Sequence, residues 1–374
     1  MSCPKRVLTI FGTRPAAIKL FPLLHTLESD PRFISRICVT GQHRAMLDPV
    51  LSVSEITPHH DLAVMRPGQT LERLTARLLL KIGAVIEREH PDIVIVQGDT
   101  ADAFTGALAA YYHRVRIAHV EAGLRSGDIY HPWPEEVNRK AIGTMAALHF
   151  APTQTAAQAL VAENIDASTI YVTGNTVIDA LQWIGKKVDA APELVSDLRD
   201  LERRFAGRRI VGVTCHRREN LGGGIEAVTR AVSRLAERPD VAIVFPVHLN
   251  PGILETVHAE LSHRENVALL DPLDYPRFAH LLAMSHLVLT DSGGVQEEAP
   301  AFGTPVLVMR ETTERPEGIA AGTARLVGTD PDRIISEVVR LLENEEAYTA
   351  MSRAHNPYGD GQAAARIAEV LATN

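Results

Sequence analysis

Short apolar runs rich in valine and isoleucine alternate along this chain with longer stretches of helical periodicity. In the stretch 70–89, for example, Leu71, Leu74 and Leu78 recur at the spacing of one helix face. Alternation of strands with helices predicts parallel sheets that are covered by helices on both faces. The first apolar runs also lack the polar alternation of a half-exposed strand, as burial on both faces requires. The pattern therefore predicts an α/β fold.

The apolar runs divide into two successive sets. The predicted strands of the first set are 6–11, 34–40, 93–97, 117–120, 149–152 and 170–173. Those of the second set are 210–214, 241–246, 267–270, 287–290, 306–309 and 324–327. The charged stretch 177–204 between the sets has the pattern of one long helix, and 363–372 of a short amphipathic helix. We predict two Rossmann-like domains that meet after Gly174 and face a ligand cleft at the carboxyl ends of both sheets.

Composition and charge exclude several functional classes. The formal net charge of −8 provides no overall basic field for nucleic acid. No apolar run reaches the ~20 residues that span a bilayer, and the first one is too short for a signal peptide, so we expect no membrane partner. The three cysteines, Cys3, Cys38 and Cys215, form neither a disulfide framework nor a zinc pattern. We expect a cytoplasmic protein without a metal.

Two loops at strand ends are candidates for phosphate binding. The first strand runs into Gly12 and a helix start that carries Arg14 and Lys19, which can hold a diphosphate together with free helix amides. The alternative is an ordinary turn with solvated basic residues. No G-x-G-x-x-G motif occurs, so a nicotinamide cofactor has no support.

The second loop follows the predicted strand 287–290. Ser292, Gly293 and Gly294 allow backbone amides to approach a phosphate closely. Glu298, one turn later, can accept hydrogen bonds from both ribose hydroxyls, as an acidic residue does in dinucleotide-binding folds. A capped helix start is the alternative.

Carboxylates form a third group of candidates. Asp99 and Glu121 end adjacent predicted strands, and we expect them to share one rim of the cleft, where like charges raise at least one pKa. Glu135 begins a helix. Such groups suit proton transfer at carbon, although a helix cap or a solvated rim charge is the alternative for each. His216 ends the first strand of the second set and can stabilise a leaving phosphate, as can Arg315.

Taken together and in order, these motifs resemble the non-hydrolysing UDP-N-acetylglucosamine 2-epimerases from one end of the chain to the other. The segments that carry the resemblance are GTRPAAIK, GQHRAMLD, GDT, HVEAGLRSGD, PWPEE, GNTVIDAL, HRREN, PVHLNP, TDSGGVQEEAP, RETTERPE and NPYGDG. The resemblance implies a glycosyltransferase-B-type fold whose last helix crosses back onto the first domain, a homodimer and no cofactor. The domains would then be 1–174 with 360–374, and 175–359.

The resemblance also implies roles for individual residues. The implied catalytic residues are Asp99, Glu121, Glu135 and His216. The implied contacts of the UDP-sugar are Arg14, Lys19, Phe278, Ser292, Gly293, Gly294, Glu298 and Arg315. The Phe278 ring would pack on uracil, and a core residue on a helix face is the alternative. A second UDP-N-acetylglucosamine molecule acts as an allosteric activator in some relatives, and Gln42, His43 and His248 match its site.

Three positions depart from the family pattern. Ala16 stands where a glutamate is usual, Ala101–Asp102–Ala103 replace a threonine-rich run, and Cys215 replaces a small residue. None of these changes removes an implied catalytic group, but Ala16 alters the polar contacts expected at the first loop.

The expected reaction interconverts UDP-N-acetylglucosamine and UDP-N-acetylmannosamine by elimination and re-addition of UDP through 2-acetamidoglucal. The main alternative is a hydrolysing epimerase that releases N-acetylmannosamine and UDP. A glycosyltransferase on the same fold and a non-catalytic sugar-nucleotide-binding protein are further alternatives, against which the carboxylates argue.

Overall fold

The computed structural model of the chain describes residues 3–41, 44–66, 68–215 and 223–374. The chain forms two compact units, one made of Met1–Ala180 with Gly359–Asn374 and the other of Leu181–Tyr358. Each unit is built on one parallel sheet with the strand order of a Rossmann fold. The predicted fold class of two Rossmann-like α/β domains is therefore confirmed.

The sheet of the amino-terminal unit has the order β3-β2-β1-β4-β5-β6-β7. Its strands are β1 (Lys5–Phe11), β2 (Phe33–Val39), β3 (His60–Asp61), β4 (Ile93–Gln97), β5 (Arg116–Val120), β6 (Leu148–Ala151) and β7 (Ile170–Val172). The helices of this part of the chain are α1 (Arg14–Ser29), α2 (Arg44–Val53), α3 (Leu71–Glu89), α4 (Ala101–Tyr112), α5 (Glu135–Met145), α6 (Gln154–Ala162) and α7 (Thr176–Ala190).

The sheet of the second unit has the order β10-β9-β8-β11-β12-β13. Its strands are β8 (Arg209–Thr214), β9 (Val241–Pro246), β10 (Val267–Leu270), β11 (Leu287–Thr290), β12 (Val306–Val308) and β13 (Ala324–Leu326). The helices that follow α7 are α8 (Ser196–Arg204), α9 (Gly223–Leu235), α10 (Pro251–Leu261), α11 (Tyr275–Met284), α12 (Gly293–Glu298), α13 (Pro316–Ala321), α14 (Pro331–Glu343), α15 (Glu345–Ser352) and α16 (Ala363–Thr373).

Local sequence explains why these elements begin and end where they do. The helix predicted over 70–89 is α3, and Thr70 precedes it as the N-cap because its hydroxyl accepts the Arg73 amide at 3.4 Å. Leu74, Leu78 and Ile82 then bury one face of α3 against the sheet. The helical period and the cap thus agree, and together they fix the position of this helix.

The long helix predicted over 177–204 is wrong, because the stretch contains two helices with a short 3₁₀ turn between them. α7 ends at Ala190, the turn covers Pro192–Val195, and α8 begins at Ser196. Pro192 lacks an amide hydrogen and its ring clashes with a preceding helical turn, so α7 cannot continue through it. The two-residue strand β3 was also missed, since it is too short to show a period.

The last helix, α16, returns to the amino-terminal unit and packs against α1, as the resemblance implied. Asp179 in α7 fixes its start, because the carboxylate accepts the Ala363 and Ala364 amides at 3.2 and 2.9 Å. At the other end, Lys5 of β1 donates to the Leu371 carbonyl at 2.9 Å. The unit is therefore assembled from two separate stretches of chain.

Within the described residues, no helix combines the length and the apolar character needed to cross a bilayer.

Candidate active site

The carboxyl ends of β1 and β4 meet where the strand order of the first sheet changes direction. Ligands of open α/β sheets bind at this point, beyond the strand ends. Gly12 and Thr13 follow β1, and Gly98 and Asp99 follow β4. The next strand, β5, ends immediately before Glu121. The structure therefore brings the first loop, Asp99 and Glu121 to one edge of the amino-terminal unit.

Glu121 is held at both carboxylate oxygens. The Lys19 ammonium and the Asn175 amide donate to Oε1, the latter at 3.1 Å, and the Gln97 amide donates to Oε2. The backbone of Glu121 lies in the left-handed region with a φ of 63°. This conformation costs free energy for a residue with a side chain, and residues that adopt it are found most often at functional sites. The Glu121 carboxylate is thus preoriented, and Lys19, predicted as a diphosphate ligand, is its ion-pair partner.

Asp99 is partly buried and is held by α5. The Arg139 guanidinium donates to Oδ2, and the Asn138 amide donates to the Asp99 backbone carbonyl at 2.8 Å. Burial raises the pKa of the Asp99 carboxyl, Arg139 opposes the rise, and the neighbouring Glu121 carboxylate adds to it. A carboxyl group with a raised pKa beside a second carboxylate is suited to proton transfer.

Glu135 begins α5, where the helix dipole favours a negative charge. Glu136 beside it is fully buried, accepts the Ser126 amide at 3.0 Å and pairs with Arg139 at 3.1 Å. Arg139 therefore bridges Asp99 and Glu136 and ties α5 to the strand edge. Sequence reasoning missed Arg139, although its position one helical turn after Glu135 was a usable signal.

Gly12 makes the first loop possible because a side chain has no room there. A Cβ atom on Gly12 would lie 1.7 Å from Thr40 Oγ1 and 3.1 Å from Asp102 Oδ2. The loop leads directly into α1, whose first residue is Arg14. A helix start with a guanidinium group is a favourable place for a phosphate.

Asp102 lies beneath this loop in the first turn of α4 and is fully buried. Neither of its carboxylate oxygens has a hydrogen-bond partner among the described residues. Burial raises the pKa of Asp102 to about 6. Three nearby donors oppose this rise only in part, because none of them is placed well enough to form a hydrogen bond: the Thr100 hydroxyl and the amides of Asp102 and Gly12. Sequence reasoning identified this position only as a departure from a threonine-rich run.

The second sheet presents its own loop at the equivalent point, beyond the adjacent strands β8 and β11. Ser292 precedes α12, and Gly293 and Gly294 form its first turn. The Ser292 amide donates to Thr290 Oγ1 at 2.9 Å, whereas within the described chain its hydroxyl makes no capping bond to α12. Ser292 therefore does not cap α12 with its side chain, as the alternative of a capped helix start requires. Glu298 is the last residue of α12.

Arg315 and Phe278 have different surroundings in the second unit. Arg315 immediately precedes α13, and its guanidinium pairs with the buried carboxylate of Glu297. Phe278 lies in α11, is partly buried and packs against two apolar clusters, as the alternative of a core residue expects. Cys215 is buried and its thiol donates to Asp291 Oδ2 at 3.4 Å.

Three predicted residues, Gln42, His43 and His216, lie outside the described residues. His248 is exposed, and its Nδ1 accepts the Asn250 amide at 3.1 Å next to the start of α10.

Comparison with known proteins gives one consistent result. The chain matches the family model described as UDP-N-acetylglucosamine 2-epimerase over residues 25–372. UDP-N-acetylglucosamine 2-epimerases from Salmonella typhimurium and Escherichia coli are each 52% identical to it. The alignment covers 98% of both chains for the Salmonella protein and 99% of both for the Escherichia protein.

A solved structure is similar over the same length. The crystal structure of UDP-GlcNAc 2-epimerase from Neisseria meningitidis bound to UDP-GlcNAc has a TM-score of 0.89 and 42% sequence identity. The match covers 99% of this chain and 100% of that one, so it includes both parallel sheets and the loops at their edges.

Proposed function

Because the chain belongs to the UDP-N-acetylglucosamine 2-epimerase family, we propose that it reversibly interconverts UDP-N-acetylglucosamine and UDP-N-acetylmannosamine without releasing free sugar. The observation that carries the proposal is the cluster at the first sheet edge, where Asp99 and Glu121 lie with Lys19 and Arg139. Inversion at a carbon that holds its proton firmly needs positioned acids and bases of this kind.

The proposed mechanism removes UDP before it rebuilds the sugar. One carboxylate takes the C2 proton, the C1–oxygen bond to UDP breaks, and a C1–C2 double bond forms, which gives 2-acetamidoglucal and UDP. A proton is then delivered to the opposite face of C2 while a UDP oxygen bonds to C1 again. No atom is oxidised or reduced overall, so the reaction needs no redox partner.

The amino-terminal unit supplies the acids and bases of this scheme. Asp99, whose pKa is raised by burial, is poised to exchange a proton, and Glu121 is held in one orientation by Lys19. Glu135, at the start of the helix that contacts Asp99, is the third carboxylate that we assign to the C2 proton. Fixed carboxylates save the cost of reorganisation during proton transfer.

Cationic groups and amides would bind the diphosphate and stabilise its departure. Removal of one such donor typically costs on the order of 10²–10³ in rate. Glu298 would bind the ribose, and Phe278 would contact uracil with the part of its ring that the core leaves exposed. The proposed diphosphate ligands are Arg14, Lys19, His216, Arg315 and the amides of Ser292, Gly293 and Gly294.

We extend the proposal to assembly and regulation. The active form would be a cytoplasmic homodimer, and a second UDP-N-acetylglucosamine would activate it through Gln42, His43 and His248. The exposed imidazole of His248 is consistent with a ligand contact. Hyperbolic kinetics with UDP-N-acetylmannosamine, unchanged by traces of UDP-N-acetylglucosamine, would contradict this activation.

One product assay tests the function. The protein is incubated with UDP-N-acetylglucosamine in heavy water, without added NAD or metal, and the products are followed by proton NMR. We expect UDP-N-acetylmannosamine with deuterium at C2, because the proton removed exchanges with solvent before the carbon is reprotonated. Product that keeps its original hydrogen would exclude the elimination mechanism.

The same spectra separate the alternatives. Free N-acetylmannosamine in stoichiometric amount with UDP would identify a hydrolysing epimerase instead. Unchanged substrate at high protein concentration would contradict both enzymes and leave a binding protein as the remaining interpretation.

A further inference from the structure

Two buried polar side chains in α12 connect the glycine loop of the second unit to Arg315. Gln296 and Glu297 expose 0% and 1% of their surface. Burying an amide or a carboxylate costs free energy unless the group meets its partners. The partners of these two residues are Ser292, in the glycine loop, and Thr313 and Arg315, in the segment that precedes α13.

Gln296 joins the backbone of one segment to a side chain of the other. Its Nε2 donates to the Ser292 carbonyl at 3.2 Å, and its Oε1 accepts the Thr313 hydroxyl at 2.7 Å. Thr313 Oγ1 accepts in turn the backbone amide of Arg315 at 3.0 Å. A continuous hydrogen-bonded path therefore runs from Ser292 to the backbone of Arg315.

Glu297 fixes the side chain of the same arginine. Its Oε1 accepts a hydrogen bond from Arg315 Nε, and the two side chains are 2% and 14% exposed. Such a contact sets the plane of the guanidinium, which binds phosphate oxygens through a rigid, planar set of donors. Backbone and side chain of Arg315 are thus held by neighbouring residues of one short helix.

A third contact holds the same segment from its other side. The Tyr358 hydroxyl donates to the Arg315 carbonyl at 3.3 Å and accepts the Gly318 amide at 3.0 Å. Tyr358 is fully buried, so this bond is shielded from water. The position of Arg315 is therefore determined on each side of its backbone.

We propose that Gln296 and Glu297 are positioning residues that hold Arg315 in register with the loop 292–294, so that a nucleoside diphosphate meets one preformed set of donors. The inference rests on the proposed binding of a UDP-sugar at these segments. Preformed sites bind more tightly because their groups are already ordered, so binding does not lose free energy in ordering them. Both residues act through their neighbours and not on the reacting atoms.

The first test is the affinity of the full-length chain for UDP, measured by isothermal titration calorimetry. Glu297→Gln keeps the shape of the side chain and removes its charge, and we expect the Kd for UDP to rise roughly tenfold. Glu337→Gln is the matched control, because Glu337 is likewise a carboxylate of the second unit that pairs with arginine, in its case with Arg325 and Arg340. The control should leave the affinity unchanged, and an equal loss in both variants would overturn the proposal.

The second test distinguishes positioning from a general effect on stability. If Glu297 acts only through Arg315, adding Glu297→Gln to Arg315→Lys should weaken UDP binding less than about twofold further, since coupled residues are not additive. A full second tenfold loss would show independent effects and reject the inference. In wild-type protein, absent UDP binding would instead refute the proposed function itself.

A milder pair of variants covers the case in which Glu297→Gln does not fold. Thr313 is partly exposed, so Thr313→Val should fold while it breaks the path from Gln296 to Arg315. We expect a lowered kcat/KM for Thr313→Val, and wild-type values for Thr313→Ser, which keeps the hydroxyl. Identical kinetics for the two variants would contradict the role of the path.

Discussion

Lys19 and Glu121 lie 102 positions apart in the chain and form an ion pair whose side chains are only 15% and 7% exposed. The pair joins the first turns of α1 to the end of β5, at the edge where we place the chemistry. Because both charged side chains are largely buried, their contact stabilises the unit and also orients a proposed catalytic carboxylate.

Replacing Lys19 by methionine should therefore destabilise the protein. Lys19→Met removes the ammonium group that pairs with the Glu121 carboxylate, and we expect the free energy of unfolding in urea to fall by about 3 kcal/mol. Arg32→Met is the control, because Arg32 is half exposed in its pairs with Asp30 and Glu369, and should cost less than about 1 kcal/mol. Equal losses would mean that the Lys19 pair has no special weight.

Arg139 should set the acid limb of the pH–rate profile. Arg139 holds down the pKa of Asp99, which burial raises, so Arg139→Gln should raise that pKa further. We expect the acid limb of kcat/KM to move to higher pH. Arg125→Gln, which breaks a pair with Glu163 elsewhere in the unit, should not move it. An acid limb unchanged by Arg139→Gln would argue that Asp99 does not limit the rate.

Asp99→Asn should separate chemistry from nucleotide binding. The amide is nearly isosteric but cannot exchange the C2 proton, so we expect turnover of UDP-N-acetylglucosamine to fall at least about 100-fold. Binding of UDP should stay within about threefold, because we assign Asp99 to the C2 proton and not to the diphosphate. A variant that keeps more than a tenth of the wild-type rate would remove Asp99 from the catalytic set.

Asp102 should make the protein less stable as pH rises. Burial raises its pKa from 3.8 to about 6, so the carboxyl favours the folded state while it is protonated. This contribution is complete below the unfolded pKa of 3.8 and is lost as pH rises through about 6. Asp102→Asn does not titrate, and its stability relative to wild type should improve by about 2 kcal/mol between pH 4 and pH 8.

Urea unfolding at both pH values measures the Asp102 effect. Asp48→Asn, at an exposed aspartate on α2, provides the control and should show no such improvement. The same stability difference at pH 4 and pH 8 for Asp102→Asn would mean that the wild-type carboxyl is not buried in solution.

Gly12→Ala should clash with Thr40 and distort the first loop. The new Cβ would lie 1.7 Å from Thr40 Oγ1, so we expect a loss of about 2 kcal/mol in stability and a raised KM. Thr40 Oγ1 has no hydrogen-bond partner among the described residues, which makes Thr40→Ala a mild change. The double variant should recover at least half of the loss, and no recovery would place the clash elsewhere.

The sequence predicted the fold and the candidate site where local rules apply. Valine- and isoleucine-rich runs indicated the strands, and parallel pairing of β4 with β5 places Asp99 near Glu121, as expected for residues at adjacent strand ends. The roles of these carboxylates stay predictions.

Long-range contacts could not be predicted in the same way. Nothing in the local sequence indicates that Asn175 and Gln97 donate to Glu121, or that Arg315 meets Glu297. These contacts depend on the packing of elements that are distant in the chain. Pro192, by contrast, is a local signal for the end of a helix. It shows why the single helix predicted over 177–204 was wrong, since a proline cannot continue a helix from the preceding turn.

The return of α16 to α1 has a consequence for biosynthesis. Ile367 and Leu371 are buried in the amino-terminal unit, and Asp179 holds the start of their helix. A nascent chain on the ribosome must therefore expose the matching apolar surface of α1 until residues 363–373 emerge, long after the first sheet can form. During that interval the uncovered apolar surface of α1 makes the incomplete unit prone to aggregation.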